Sequence, residues 1–176
     1  MMNGVTLLRN ERQWLEKNPG EAFDEGARPA VGYANEDYRT IAGELDALWR
    51  LDDTDLWESE AGLNPHRSRH AQLADHGMLH VETARLNGEL IGYQTTALSW
   101  DAMHAGDLYG YILALHVLPA SRGRYVGVSL CHRALSSLRK IGVKRVIAGS
   151  RVEAPSDVLF RRCGFLPVDM LYAKEL

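Results

Sequence analysis

One stretch constrains this chain more than any other. A long apolar run, DLYGYILALHVL, stops at Pro119, passes through a loop of Arg and Gly, and opens into a helix-patterned segment. A run of that length ended by a turn signal reads as a central strand buried on both faces. A strand entering a helix through such a loop leaves the first helical N–H groups without partners, with the positive end of the helix dipole beside them. That junction is a phosphate cradle. The loop, HVLPASRGRYVGVSL, has neither the Gly-Lys-Ser/Thr that closes a P-loop nor the GxGxxG of dinucleotide folds. Arg122 and Arg124 add fixed charge, and a diphosphate is the natural guest.

Around this centre the periodicities alternate. Asn35 reads as a helix N-cap, with Glu36 and Asp37 in the first turn and an apolar stripe of Tyr38, Ile41, Ala42, Leu45, Leu48 and Trp49. A second helix runs from Pro65 to Asp75 and closes on Gly77. MLHVETARL and ELIGYQTTAL flank Asn87-Gly88, the strongest short-range hairpin signal. Beyond the central strand come a helix striped by Leu130, Ala134, Leu135, Leu138 and Ile141, the strand KRVIAGS, the short helix PSDVLFRRC and a terminal strand region, FLPVDMLYAKEL. The order α, α, β, β, β, α, β, α, β predicts an α/β (α+β) fold with a mixed sheet and helices on its faces. Residues 1–30, with the amphipathic LLRNERQWLEK stopped by Asn18, Pro19 and Gly20, form an N-terminal arm, and residues 31–176 form the domain.

Composition excludes several classes. With 45% hydrophobic and 24% charged residues in 176, the chain matches one globular domain. Its longest apolar run falls short of the ~20 residues that span a bilayer. The beginning, MMNGVTLLRNERQW, lacks the apolar core and cleavage site of a secretory signal, which predicts a cytoplasmic protein. Two cysteines, Cys131 and Cys163, make neither a disulfide framework nor a CxxC metal site and read as buried free thiols. The net charge of −3 hides an asymmetry: residues 1–60 hold 6 basic and 14 acidic side chains, whereas residues 119–162 hold 10 basic and 2 acidic.

The cradle region resembles the GNAT superfamily of acyl-CoA-dependent N-acetyltransferases, whose signature is Arg/Gln-x-x-Gly-x-Gly/Ala after a Leu-x-Val strand. The match is Leu115-His116-Val117 followed by Arg122-Gly123-Arg124-Tyr125-Val126-Gly127, and Cys163-Gly164-Phe165 looks like the family's later Gly-Phe element. NPHRSRHAQLADHGMLHVETARLNGELIGY, MHAGD and Tyr172-Ala173-Lys174 look most like the branch found in phages and prophages. The resemblance implies a mostly antiparallel mixed sheet with a splayed central strand. It also implies acetyl-CoA as co-substrate, pantetheine on the backbone of Leu115, His116 and Val117, and the pyrophosphate among the N–H groups of Gly123, Arg124, Val126, Gly127 and Val128, with Arg122 nearby. Two positions depart from the pattern. Tyr125 replaces the first signature Gly, where backbone approaches phosphate, and Phe160 stands where many relatives place a Tyr that protonates the departing thiolate.

The implied activity is transfer of an acetyl group to a primary amine by direct attack, which requires a base for the amine. Tyr111 holds the place of the family's base and, with a pKa of about 10, suits a relay better than a base. Glu153, after KRVIAGS, and His104, in the loop with Asp107, are the other candidates. Each has a plainer reading: core aromatic, helix-start charge and solvated loop residue, respectively. His66 and His70 share a helix face but lack a third ligand, so no metal is expected and a solvated face is. Tyr38, Trp49 and Trp57 read as core or acceptor-pocket wall.

Two other classes are weighed: a CoA-binding interaction protein without turnover, and a nucleic-acid-binding or nucleobase-modifying protein. The basic residues of 119–162 are spread through a helix and strand ends with little aromatic interleaving, which disfavours nucleic acid. CoA's phosphates account for that block. The acidic block, on the side that shapes the acceptor, favours a cationic amine. The N-terminal arm is long enough to cover a second copy, so a homodimer is left open.

Overall fold

A computed structural model of the protein describes residues 30–56, 65–100, 106–123, 125–150 and 156–168. Five strands, β1 (Val31–Asn35), β2 (Leu79–Leu86), β3 (Glu89–Trp100), β4 (Leu108–Val117) and β5 (Val143–Ala148), form one sheet in that spatial order. The helices are α1 (Tyr38–Leu56), α2 (Pro65–Asp75), α3 (Val126–Lys140) and α4 (Asp157–Arg162), and a 3-10 turn spans Pro119–Ser121. β1 to β4 pair antiparallel, and β5 joins β4 in parallel after the α3 crossover. The sheet is therefore mixed and mostly antiparallel.

Alternation along the strands divides the core between two faces. Tyr38, Ile41, Leu45 and Leu48 of α1 pack with Val81, Leu90 and Tyr93 on one face. On the other, Val126 and Leu130 of α3 pack with Ala84, Ile91 and Val117, while Leu138 packs with Leu98 and Val143. Leu45, Leu130 and Leu138 are fully buried, and truncation of any one to Ala should cost about 2–5 kcal/mol. The β2–β3 hairpin turns on Asn87 and Gly88, both at positive φ, 54° and 87°, as a type I′ turn requires.

Several expectations need correction. Asn35 is the last residue of β1, paired with Glu82, and its Nδ2 donates to the Val81 carbonyl at 2.9 Å. The cap belongs to Asp37, whose Oδ1 accepts the Arg39 N–H at 2.9 Å. β1 itself goes unseen in the sequence because it is a short edge strand whose identity comes from its partner. Glu36 is diverted to Arg85, which binds both of its oxygens at 2.8 and 3.0 Å and both oxygens of Glu44 at 2.7 and 2.9 Å. This clamp ties α1 to the sheet and holds the Glu36 carboxyl below the usual range.

Ile141 is exposed, because α3 ends at Lys140 and Gly142, at φ 91°, turns the chain away. Leu135 is half-buried. Phe165 to Val168 carry no strand, and the remainder of the expected terminal strand, like residues 1–29 and the side chains of Trp49 and Trp57, lies outside the described residues. His70 is not solvated. It is 1% exposed, its Nε2 lies 3.1 Å from Thr95 Oγ1, and its ring stacks on Tyr38 at 6.0 Å. α2 turns this face onto the sheet; the side chain of His66 lies outside the described residues.

Candidate functional site: a seam in the sheet above a helix N-terminus

β4 is not buried along its whole length as the apolar run suggested. Its pairing with β5 begins at Leu108↔Val143 and ends at Ile112↔Ala148, yet β4 continues to Val117, paired there among the described residues with β3 alone. Thr95 pairs with Ala114 and Thr96 with Ile112, so Leu113 is an extra residue, a bulge, at the point where β5 departs. Bulges bend a strand and increase its twist, which here coincides with the divergence of β4 from β5. Among the described residues no strand pairs with β4 over 113–117 on the β5 side, and Leu113, Ala114 and Leu115 are only half-buried. The result is a wedge-shaped seam with a backbone edge along one wall.

The seam leads into the cradle. Pro119 stops the strand and opens the 3-10 turn, and Arg122 folds back so that its Nε donates to the Val117 carbonyl at 2.8 Å. Gly123 takes φ 81° and Tyr125 takes φ 58°, ψ 11°. Tyr125 occupies the N-cap of α3 without a side-chain capping bond, and no acidic residue lies in the first turn. The N–H groups of Val126, Gly127 and Val128 thus have no intrahelical acceptor, and no carboxylate of their own turn competes for them. Gly127 is held by crowding: a Cβ there would lie 3.0 Å from Leu159 Cδ1 and 3.6 Å from both Leu115 Cδ2 and Val117 Cγ2. α4 therefore leans directly on the first turn of α3.

The other candidates fall as follows. Tyr111, on β4 opposite Ile147, is 43% exposed. Its hydroxyl reaches past the end of β5 to within 3.3 Å of where Gly149 would carry a Cβ, which sets it at the point where the strands part. His116 turns away from the seam and stacks on Tyr93 at 5.9 Å, buried. Phe160 is buried with its ring 5.4 Å from Phe165. Glu153, His104 and Arg124 lie outside the described residues. Gly149 and Leu159, which shape the mouth and brace the cradle, carry no chemical signal in the sequence and were not anticipated.

Charges at the site are partly committed. Arg133 lies 4.7 Å over the Tyr33 ring, Arg145 lies 5.7 Å over Tyr109, and Arg161 pairs with Asp157 at 3.6 Å. From the acidic block, Glu36 and Glu44 are neutralised in part by Arg85. Among the described residues no group of three or more His, Cys, Asp or Glu converges on a metal-sized point, and no helix is long and apolar enough to cross a membrane.

The site is thus a mixed sheet opened beside β4, with an uncapped helix N-terminus at the end of the opening. Residues 42–165 match the acetyltransferase (GNAT) family model, and the chain belongs to that family. No curated protein sequence matches it. Solved structures share the fold at low identity. A predicted acetyltransferase from Clostridium acetobutylicum with acetyl-CoA superposes with a TM-score of 0.67 at 15% identity, covering 83% of this chain and 96% of that one. Glucosamine-6-phosphate N-acetyltransferase from Arabidopsis thaliana gives 0.62 at 15% identity over 83% and 98% of the two chains. An aminoglycoside acetyltransferase from an uncultured soil metagenomic sample, in complex with sisomicin, gives 0.63 at 15% identity over 82% and 97%.

Proposed function

We propose that the protein is an N-acetyltransferase that moves an acetyl group from acetyl-CoA to a primary amine by direct attack. The observation that carries this reading is the continuity of the seam beside residues 113–117 with the uncapped first turn of α3. A linear thioester ending in a diphosphate fits such a path. Pantetheine runs along the backbone of Leu115, His116 and Val117. The diphosphate is received by the N–H groups of Gly123, Arg124, Val126, Gly127 and Val128, with Arg122 fixed beside them and Tyr125 at the turn. The Clostridium acetobutylicum relative, solved with acetyl-CoA, supports acetyl-CoA as the ligand.

In this arrangement a backbone N–H on the open edge of β4 stabilises the oxyanion that develops as a neutral amine attacks the thioester carbonyl, with no reorganisation of the strand required. The Tyr111 hydroxyl, at the mouth, relays the amine proton towards Glu153 or His104. Phe160 cannot donate a proton, so the thiolate takes one from water. With a thiol pKa of about 8.5 it is a tolerable leaving group. The acceptor is a cationic amine, supported by the acidic block of residues 1–60 and by the relative that holds sisomicin. Assignment to the phage and prophage branch rests on the sequence stretch NPHRSRHAQLADHGMLHVETARLNGELIGY and its companions alone.

The test is release of CoA thiol from acetyl-CoA across a panel of polyamines, aminoglycosides and small primary amines. Amine-dependent release is expected, and Tyr111→Phe, Glu153→Gln or His104→Ala should include one variant with kcat lowered about a hundredfold, equivalent to about 2.7 kcal/mol, and CoA affinity intact. Full turnover in all three would move the proton route elsewhere. CoA binding without thiol release from any amine would make the protein a CoA-binding sensor, the second reading, which Phe160 and the left-handed Tyr125 favour.

A further inference from the structure

The chain's two cysteines are separated by 32 positions in sequence and meet in the fold. Cys131 sits in the second turn of α3, fully buried, and Cys163 is the C-cap residue of α4, 7% exposed. Both are free. Cys163 Sγ lies 4.0 Å from the carbonyl of Val128, which precedes Cys131 by three residues and so shares its helix face. The Cys163 thiol beside it, together with burial, pushes the Cys131 thiol up, while the neighbouring Cys131 thiol pulls Cys163 down. Cys163 is the more exposed of the two sulfurs, so an oxidant meets it first.

The pair is also one rung of a ladder. Gly127 and Cys131 are four residues apart on α3, and Leu159 and Cys163 are four apart on α4. The approach of Leu159 to Gly127 in the cradle and that of Cys163 to the turn holding Cys131 thus lie about one helical turn from each other along the same interface.

From this juxtaposition we infer that Cys131 and Cys163 are an oxidant-modification site: hydrogen peroxide closes them to a disulfide between α3 and α4, and closure weakens CoA binding at the adjoining turn. The Cys163 thiolate attacks the peroxide O–O bond, becoming a sulfenic acid while the other oxygen leaves as hydroxide and is protonated to water. The Cys131 sulfur then attacks the sulfenic sulfur. The S–S bond forms, and the oxygen departs as a second water with the Cys131 proton. Two thiols have been oxidised and one peroxide reduced. A disulfide bond of about 2 Å is shorter than any approach of two free thiols, so closure draws the end of α4 inward. Leu159, whose Cδ1 lies 3.0 Å from where a Gly127 Cβ would stand, moves with α4 against the cradle turn.

The consequence for CoA rests on the proposed acetyl-CoA site, and the two are tested separately. The full chain is treated with hydrogen peroxide and followed by intact mass, by thiol titration after denaturation, and by CoA titration calorimetry before treatment, after it, and after reduction. The expected result is a loss of about 2 Da, the two hydrogens of the thiol pair. No titratable thiol should remain, and CoA affinity should fall about tenfold and recover with reductant. Cys131→Ala and Cys163→Ala should show neither the mass loss nor the affinity change. Persistence of two titratable thiols, stepwise gain of oxygen in place of hydrogen loss, or a disulfide that leaves CoA affinity unchanged would each overturn the inference. If the reduced protein binds no CoA, the acetyl-CoA reading fails, while mass and thiol count still decide whether the pair closes.

Discussion

Residues 108–112 of β4 have β3 on one side and β5 on the other, whereas residues 113–117 have β3 alone among the described residues. Both halves are drawn from one apolar run, so hydrophobicity does not separate them. In the closed half the backbone is spent on two ladders and side chains pack tightly: a Cβ on Gly110 would meet Thr96 Cγ2 at 3.0 Å and Val146 Cγ2 at 3.4 Å. In the open half one row of backbone groups is left for something other than a strand. A bare edge inside a sheet is a liability that proteins normally cover or blunt. Its retention here, with a bulge at Leu113 to set where it begins, is what a ligand groove requires. Stability is concentrated in one half of the strand and the proposed CoA binding in the other.

The largest effect that tests this division is Gly110→Val. It wedges bulk between β3, β4 and β5 where every neighbour is held by a strand, and the cost should be about 3 kcal/mol of stability, read as a lower urea midpoint at unchanged m-value. CoA affinity of the folded protein should stay at the wild-type value. Loss of CoA affinity at full stability would show that the halves are not separable.

A somewhat smaller effect comes from the rows that cross the strand beneath α3. His80 lies in line with Thr96 and Ile112, the closed half, and Glu82 lies in line with Gln94 and Leu115, the open half. Both are buried, and burial lowers the His80 pKa to about 4 and raises that of Glu82, against the pull of Arg133 and Lys140. For His80 the unfolded chain binds the extra proton between its ordinary pKa of about 6.5 and the folded value. Its contribution is therefore intact above the unfolded value and is lost as pH falls through that window, by about 2–3 kcal/mol. Glu82 acts in the opposite sense, since its ionisation is penalised in the fold as pH rises past the ordinary carboxylate range. Denaturation midpoints between pH 4 and 7 should fall on the acid side in wild type and flatten in His80→Leu. An unflattened acid limb would place the titration elsewhere.

Legibility in the sequence followed the range of the interaction. The hairpin at Asn87-Gly88, the strand stop at Pro119 and the stripes of α1 and α3 were all readable because dihedral demands and periodicity are local. The strand–turn–helix junction at 117–126 was legible too, its Arg, Gly and helix-start residues being contiguous. β1 was not, since five edge residues become a strand only through Leu86 to Glu82 across from them. His70 looked like a solvated helix residue because nothing local says that Thr95 faces it. The seam was hidden for the same reason: whether β4 is flanked by β5 is decided by where Ala148 stops pairing, not by the residues of β4. The meeting of Cys131 and Cys163 depends on how α4 returns to α3, a purely tertiary fact.

The smallest effect concerns the residue at which the open half passes into the helix. Tyr125 replaces a glycine expected from the resemblance, and the concern was that a side chain there would spoil the cradle. Its backbone nevertheless adopts φ 58°, ψ 11°, the left-handed conformation that glycine enters freely and that costs other residues roughly 1–2 kcal/mol. The turn geometry is therefore kept, and the cost falls on folding instead of on the shape of the N–H array. Tyr125→Gly removes that strain but gives back about 0.4–1 kcal/mol of unfolded-chain entropy, so stability should change by less than about 1 kcal/mol and CoA Kd by less than about threefold. Tyr125→Val makes the converse test, because a β-branched residue at positive φ is a genuine outlier and should shift the turn. CoA binding should weaken more in that variant than in Tyr125→Gly. A tenfold tightening in Tyr125→Gly would instead mean that the ring itself, 36% exposed at the end of the seam, obstructs the diphosphate, and the open half would then be a compromised site in spite of its well-formed backbone.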